Sequence, residues 1–384
     1  MDILERWKTS FNHEEPDYIS SFIQSIMKVK KQEIDEKYGL NFTENDICVT
    51  PMGDFTMQKF CGFEASWDTV APFKIIQPGA RPPRYLVPDS GDKWKYVKNL
   101  EAGVFPYRIE EYSGKISEVR GDNRDIDFFI TGNLYAGPGG TIHTDSFDKG
   151  ATIDLWDERF GDRRTELLED AVYEDMKKNL EKTIKQHDYL PVFKLRGICR
   201  QIRESLGIKT FSRLVVKYPE VMDHIVQIQG KVILTAARAT AKVEAPFCIV
   251  SDDMAYKHGT FCSPKHYKRY FSPIYRKVAD IIHSYGGKIF FHSDGYTQPF
   301  FETWINDCRF DGQESLEPEA WMLPKTYEDK PVLENNVKNP NLIKPGKVIR
   351  YLKEEYGDRF VLIGNMDMST VMPLAEPNQV AWVV

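Results

Sequence analysis

Between residues 190 and 365 the chain repeats one phrase: a short apolar run, one or two polar residues, then an amphipathic stretch. The runs are LPVFKLRG (190–197), APFCIVSDD (245–253), KIFFHSDG (288–295) and FVLIGN (360–365), FDGQESLEP (310–318) holds a more polar strand between the last two, and IDFFIT (126–131) reads as an earlier run. Runs this apolar suit strands buried on both faces, as in a parallel sheet. The stretches between them carry helical periodicity. Ser263-Pro264 opens one as N-cap and first-turn proline, Tyr267, Tyr270, Phe271, Ile274, Val278, Ile281 and Ile282 form its apolar stripe, and Gly286-Gly287 ends it. A helix is also predicted over about 163–187, further helices to about 243, and others at Pro299–Cys308 and Pro345–Tyr356.

Strands alternating with helices predict an α/β protein, and polar residues gathering behind the strands predict a (β/α)8 TIM-type barrel with its site at the C-terminal rim. An open doubly wound sheet is the competing architecture, but no GxGxxG follows a strand. Residues 1–45 read as a helical segment, with Phe22, Ile23, Ile26 and Val29 at helical spacing. Residues 46–125 read as a β-rich excursion (ICVTPM, FKIIQ, RYLVP, YRIEEY), and 126–384 as the βα units of one large domain. Counting six clear strands and an earlier one at 47–52, the barrel stops short of its last βα unit, at Ala381-Trp382-Val383-Val384.

The net charge of −6 and the absence of basic runs argue against nucleic acid as a partner. No stretch is apolar enough to span a membrane, and the polar N-terminus lacks a signal-peptide core, so a cytoplasmic protein is expected. The six cysteines form no CxxC pair and read as free thiols.

His292 and Asp294 lie two apart at the end of a strand and so share a face. Such a pair is a metal site, an oriented acid/base pair, or a strand end bonded to backbone. Asp252 and Asp253 end the preceding strand, one expected to face inward; paired carboxylates shift each other's pKa, and an acid that only caps a turn is the alternative. Tyr256 and His258 follow on a loop that either meets a ligand or merely faces solvent. Cys262 is a soft ligand or a small buried hydrophobe. Glu314 and Glu317 end the next strand, Glu314 pointing inward beside His292, and Asn365 and Asp367 repeat the i, i+2 pattern. The Gly-rich loop 132–140 is a weak candidate for binding an anion on backbone amides.

These motifs, in this order, resemble the uroporphyrinogen decarboxylase superfamily: YPEVMDHI, the run from SDDMAYKHG to KIFFHSDG, FDGQESLEPEA and YGDRFVLIGNMD. The resemblance covers about 215–370 and implies a TIM-type barrel. It implies one of two activities, decarboxylation of a porphyrinogen or methyl transfer involving a corrinoid protein, often with zinc. The decarboxylases grip substrate carboxylates through an Arg-rich N-terminal motif, which Gly79-Ala80-Arg81-Pro82-Pro83-Arg84-Tyr85 does not reproduce. The methyltransferases hold zinc with a His-x-Cys pair and a later cysteine. His292 matches the histidine, and Asp294 stands where the cysteine would be. A carboxylate is the harder ligand and suits an oxygen substrate.

The expectation is therefore a methyltransferase moving a methyl group between a small methyl ether or methanol-type donor and a corrinoid supplied by a partner protein. Zinc would sit on His292, Asp294 and Glu314. Asp252, Asp253, Tyr256, His292 and Asp294 would form the catalytic set, with Glu314, Glu317, Asn365 and Asp367 binding substrate. Decarboxylation of a porphyrinogen or other carboxylate, and an inactive barrel with a binding role, are the alternatives.

Overall fold

Apolar runs that alternate with helices should pair in parallel, and seven strands do so. In the computed structural model, which describes residues 1–18, 20–23, 34–40, 59–71, 73–76, 85–88, 94–97, 164–256, 259–316 and 347–364, they form one sheet. The strands are β1 (Phe22–Ile23), β2 (Ala65–Thr69), β3 (Leu190–Arg196), β4 (Phe247–Ser251), β5 (Lys288–His292), β6 (Gly312–Leu316) and β7 (Val361–Gly364). Their order in space is their order in the chain, and every pairing is parallel.

That order decides the architecture. Crossovers between parallel strands are right-handed. A sheet that always advances in one direction therefore collects its helices on one face and curls the other inward, which is the wall of a TIM-type barrel. The helices are α1 (Ile3–Phe11), α2 (Asp170–His187), α3 (Ile198–Lys217), α4 (Pro219–Val243), α5 (Pro264–Tyr270), α6 (Ser272–His283) and α7 (Lys347–Tyr356). Ser263 caps α5 as expected, its side chain accepting from the His266 amide, with Pro264 in the first turn.

Alternation along each strand splits the core in two. Phe193, Leu195, Cys248, Val250, Ile289 and Phe291 join the cluster built with the outer helices. Leu190, Val192, Phe247, Ile249 and Phe290 join a second cluster with Ile3, Trp7 and Phe11 of α1. The N-terminal helix is thus packed against the sheet's other face. The Phe11 ring lies 4.6 Å from Phe247 and 4.5 Å from Phe290, centroid to centroid. Arg6 anchors α1 from its polar side, donating to Asp17 at 2.6 Å and Glu64 at 2.8 Å.

Several expectations need correction. Phe22 and Ile23 are not helical; they pair with Ala65 and Ser66 as a strand. The wall therefore draws on residues 22–23 and 65–69, ahead of the boundary at 126, and ASWDT is one of its strands. The helix predicted from 163 begins at Asp170, because Arg164–Glu166 pair with Lys74–Ile76. Pro299–Cys308 is not one regular helix. A 3-10 turn at Gln298–Phe300 is followed by a wide-turned π segment, Thr303–Cys308, which carries Trp304 to 4.3 Å from the Phe291 ring. The candidate strands at 47–52 and 126–131 and the loop 132–140 lie outside the described residues.

Candidate metal centre

The inward-facing residues change character along each strand. β4 runs Phe247, Ile249, Ser251 and β5 runs Phe290, His292, with the apolar residues toward α1. Register places His292 opposite Ser251 on one side and Glu314 on the other. The polar layer is thus stacked on the apolar one, at the C-terminal ends of the strands, where a barrel carries its chemistry.

His292 is 3% exposed and sits at the centre of this layer. Its Nδ1 lies 2.5 Å from Glu314 Oε2. A carboxylate only accepts, so Nδ1 carries the proton and Nε2 is turned to the site. From Nε2 the distances are 3.4 Å to Asp253 Oδ1 and 4.0 Å to Asp294 Oδ1. Burial works against the imidazolium, but the charge of Glu314, the nearby Asp253 carboxylate and the bond to Glu314 outweigh it, raising its pKa to about 9. Burial also pushes the Asp253 carboxyl up, yet His292 and Arg200 hold it down at about 2.

Each carboxylate is set by a second residue. Arg200, in the first turn of α3, places Nη1 2.8 Å from Asp253 Oδ2, and Arg203 donates to the Asp253 carbonyl at 3.3 Å. Ser315 donates its hydroxyl to Asp294 Oδ1 at 2.6 Å. Gly295 explains the end of the HSDG motif. Its φ is +80°, and a Cβ there would lie 2.6 Å from the Tyr256 carbonyl carbon. The close approach lets the Tyr296 amide donate to Tyr256 O at 3.1 Å, tying the antiparallel pair of 255–256 and 259–260 to the end of β5.

Asp252 turns the other way, as alternation requires of Asp253's neighbour. It is fully buried and accepts from the amides of Cys199 and Arg200, at 3.2 and 2.5 Å, and from the Tyr275 hydroxyl. It therefore satisfies orphan donors at the positive end of α3, although burial lifts its carboxyl to about 6. Asp252, expected in the catalytic set, faces the helix layer. Tyr256 is half exposed and packs on Phe261, whose ring Arg203 also covers at 3.8 Å. Cys262 is buried outside the cluster. Glu317, Asn365 and Asp367 lie outside the described residues, as does His258.

Asp253, His292 and Asp294 each offer a ligand atom within 4.8 Å of the others. Glu314, expected as a ligand, is not in this set; it occupies the opposite ring nitrogen, and Asp253 takes its place. The residues fit a cation. Among the described residues, Asp253 Oδ1 is buried without a hydrogen bond. The 3.4 and 4.0 Å separations are near the roughly 3.3 Å edge of a tetrahedral zinc site with ~2.0 Å bonds. A carboxylate on the far nitrogen is the usual support of a metal-bound histidine. Arg200 and Ser315 were not foreseen. Arg200 had a signal, since RGICR opens a helix directly behind a strand; Ser315 had none.

Residues 198–382 match the family described as uroporphyrinogen decarboxylase (URO-D). The match begins at α3 and takes in the whole cluster, Arg200 and Ser315. Comparison with curated proteins finds no match. Among solved structures, a methyltransferase from Methanosarcina mazei is similar at 15% identity, over 82% of this chain and 76% of that one, with a TM-score of 0.44. A xylose isomerase domain protein from Alicyclobacillus acidocaldarius is similar at 11% identity, over 54% and 90%, with a TM-score of 0.23. Likenesses this distant say nothing about activity.

Proposed function

We propose that this chain, which through residues 198–382 belongs to the uroporphyrinogen decarboxylase superfamily, is a methyltransferase that takes a methyl group from oxygen. The donor is a methyl ether or a methanol-type compound, and the acceptor is a corrinoid carried by a separate protein. The observation that carries this reading is the donor set at the barrel rim: among the described residues, one imidazole nitrogen and two carboxylates, with no thiolate. Oxygen donors suit a harder centre than thiolates do and favour an oxygen substrate.

The chain's own residues then have defined tasks. Asp253 and Asp294 with His292 Nε2 would hold zinc, which when bound supplies a Lewis acid for the donor oxygen. Glu314 keeps the proton on Nδ1 and fixes the ring. Arg200 balances Asp253, so that the partly buried carboxylate stays ionised. The apolar layer below His292 denies water an approach from the floor, which strengthens every electrostatic contact above it. When Nε2 is protonated instead, His292 is an imidazolium able to hand its proton to a departing alkoxide or phenolate.

The test is methyl transfer to free cob(I)alamin from methanol and a panel of aryl methyl ethers, with metal content measured on the same preparation. Zinc in the wild-type protein, and a loss of about a hundredfold or more in His292→Ala, is the expected result. Turnover of uroporphyrinogen with no methyl transfer would move the chain to the decarboxylases. Inactivity toward both would leave a barrel that binds. Among the described residues no helix is long and apolar enough to cross a membrane.

A further inference from the structure

β6 breaks its pairing at one residue. Glu314 is opposite Ile363 and Leu316 is opposite Gly364, with the register shifting between them. Ser315 is the extra residue of this bulge, and its φ is +72°. Glycine adopts that conformation freely, whereas a residue with a Cβ does so at a cost. The partner strand makes room with a glycine of its own: a Cβ on Gly364 would lie 2.5 Å from the Leu316 amide nitrogen. In a regular strand the residue after inward-facing Glu314 would face the helices. The bulge instead turns Ser315 toward the end of β5, where its hydroxyl reaches Asp294 Oδ1 at 2.6 Å.

Asp294 needs such a partner. Its side chain is 56% exposed, and it is the outermost donor, 4.0 Å from His292 Nε2 against 3.4 Å for Asp253. Asp253 is held by an arginine; among the described residues the Asp294 carboxylate accepts its hydrogen bond from Ser315. A strained backbone that delivers one hydroxyl to one ligand is a structure kept for position rather than for stability.

We propose that Ser315 is a positioning residue for the metal centre, its left-handed backbone serving to aim a hydroxyl that fixes Asp294 as the third ligand. This rests on the reading that Asp253, His292 and Asp294 hold a cation. A carboxylate oxygen has lone pairs for both the hydroxyl and an ion, so the bond orients the ligand without occupying it.

The experiment pairs zinc affinity, measured by competition with a chelating dye, with thermal melts of the metal-free full-length protein. Ser315→Gly keeps the φ and removes the hydroxyl. Its zinc affinity should fall about 10- to 100-fold while its Tm equals or exceeds the wild-type value. Ser315→Asn tolerates the same φ and restores a donor, and should recover most of the affinity. Unchanged affinity in Ser315→Gly, or a fall in Tm alongside it, overturns the proposal while leaving the metal centre standing. Wild-type protein that takes up no zinc overturns both.

Discussion

Asp252 and Asp253 are adjacent in the chain and serve opposite faces of the wall. Asp253 looks inward to His292, while Asp252 looks outward and receives the first amides of α3. Gly197 makes the outward arrangement possible, because a Cβ there would lie 2.0 Å from Asp252 Cβ. Gly197→Ala should therefore cost about 1–3 kcal/mol, read by thermal or denaturant unfolding, and should displace Arg200 with the helix. Much of this scale was legible. KIFFHSDG and FCIVSDD announced polar strand ends, and a two-residue period said that one acid of each neighbouring pair turns inward. The direction of that turn was not legible, since it depends on where each strand begins to pair. Nor was Glu314's role: spacing brings it beside His292, but only the rotamers say which ring nitrogen it takes. Arg200 and Ser315 arrive from a helix start and a bulge, features that leave no periodic trace.

At the scale of elements, Asp311 ties three together ahead of the site. It accepts from the Ile289 amide at 2.8 Å, pairs with His283 at 2.8 Å at the end of α6, and pairs with Lys288 at 3.1 Å at the start of β5. Burial would lift its carboxyl, but these partners hold it below the ordinary range. A depressed carboxylate stabilises the fold above its unfolded pKa of about 4, and that stability drains away as pH falls further, through the folded pKa. Asp311→Asn should thus lose roughly 2 kcal/mol near neutrality and show a flatter stability profile below pH ~4 than the wild type, measurable by urea unfolding across pH. Strands β3, β4, β5 and β7 were readable because continuous apolar runs between helices have few other uses. β1 and β2 were not. Two residues of strand cannot show a period, and Phe22 and Ile23 mimic one face of a helix. ASWDT has too few large apolar residues to stand out. The π segment at Thr303–Cys308 follows from packing Trp304 among Phe291, Phe300 and Phe301, a tertiary demand that propensity does not record.

For the whole molecule, the decisive contact is between its first helix and the inner face of its wall. Trp7 is 4% exposed and meets Phe11, Phe22 and Phe247. Trp7→Ala should cost about 3–5 kcal/mol in equilibrium unfolding. Zinc affinity of the folded fraction should change little, because the polar layer rests on Ile249 and Phe290 rather than on the indole. The barrel architecture itself followed from the βα rhythm; the use of the N-terminus to fill its inner face did not, because nothing in an amphipathic segment names its partner. That use has a consequence for biosynthesis. α1 is made long before Phe247 and Phe290, which receive Phe11. Until then its apolar stripe has no seat. The nascent chain carries that stripe exposed until β5 is made, and the contact that completes the inner core is one of long sequence separation, slow to form and open to capture by chaperones.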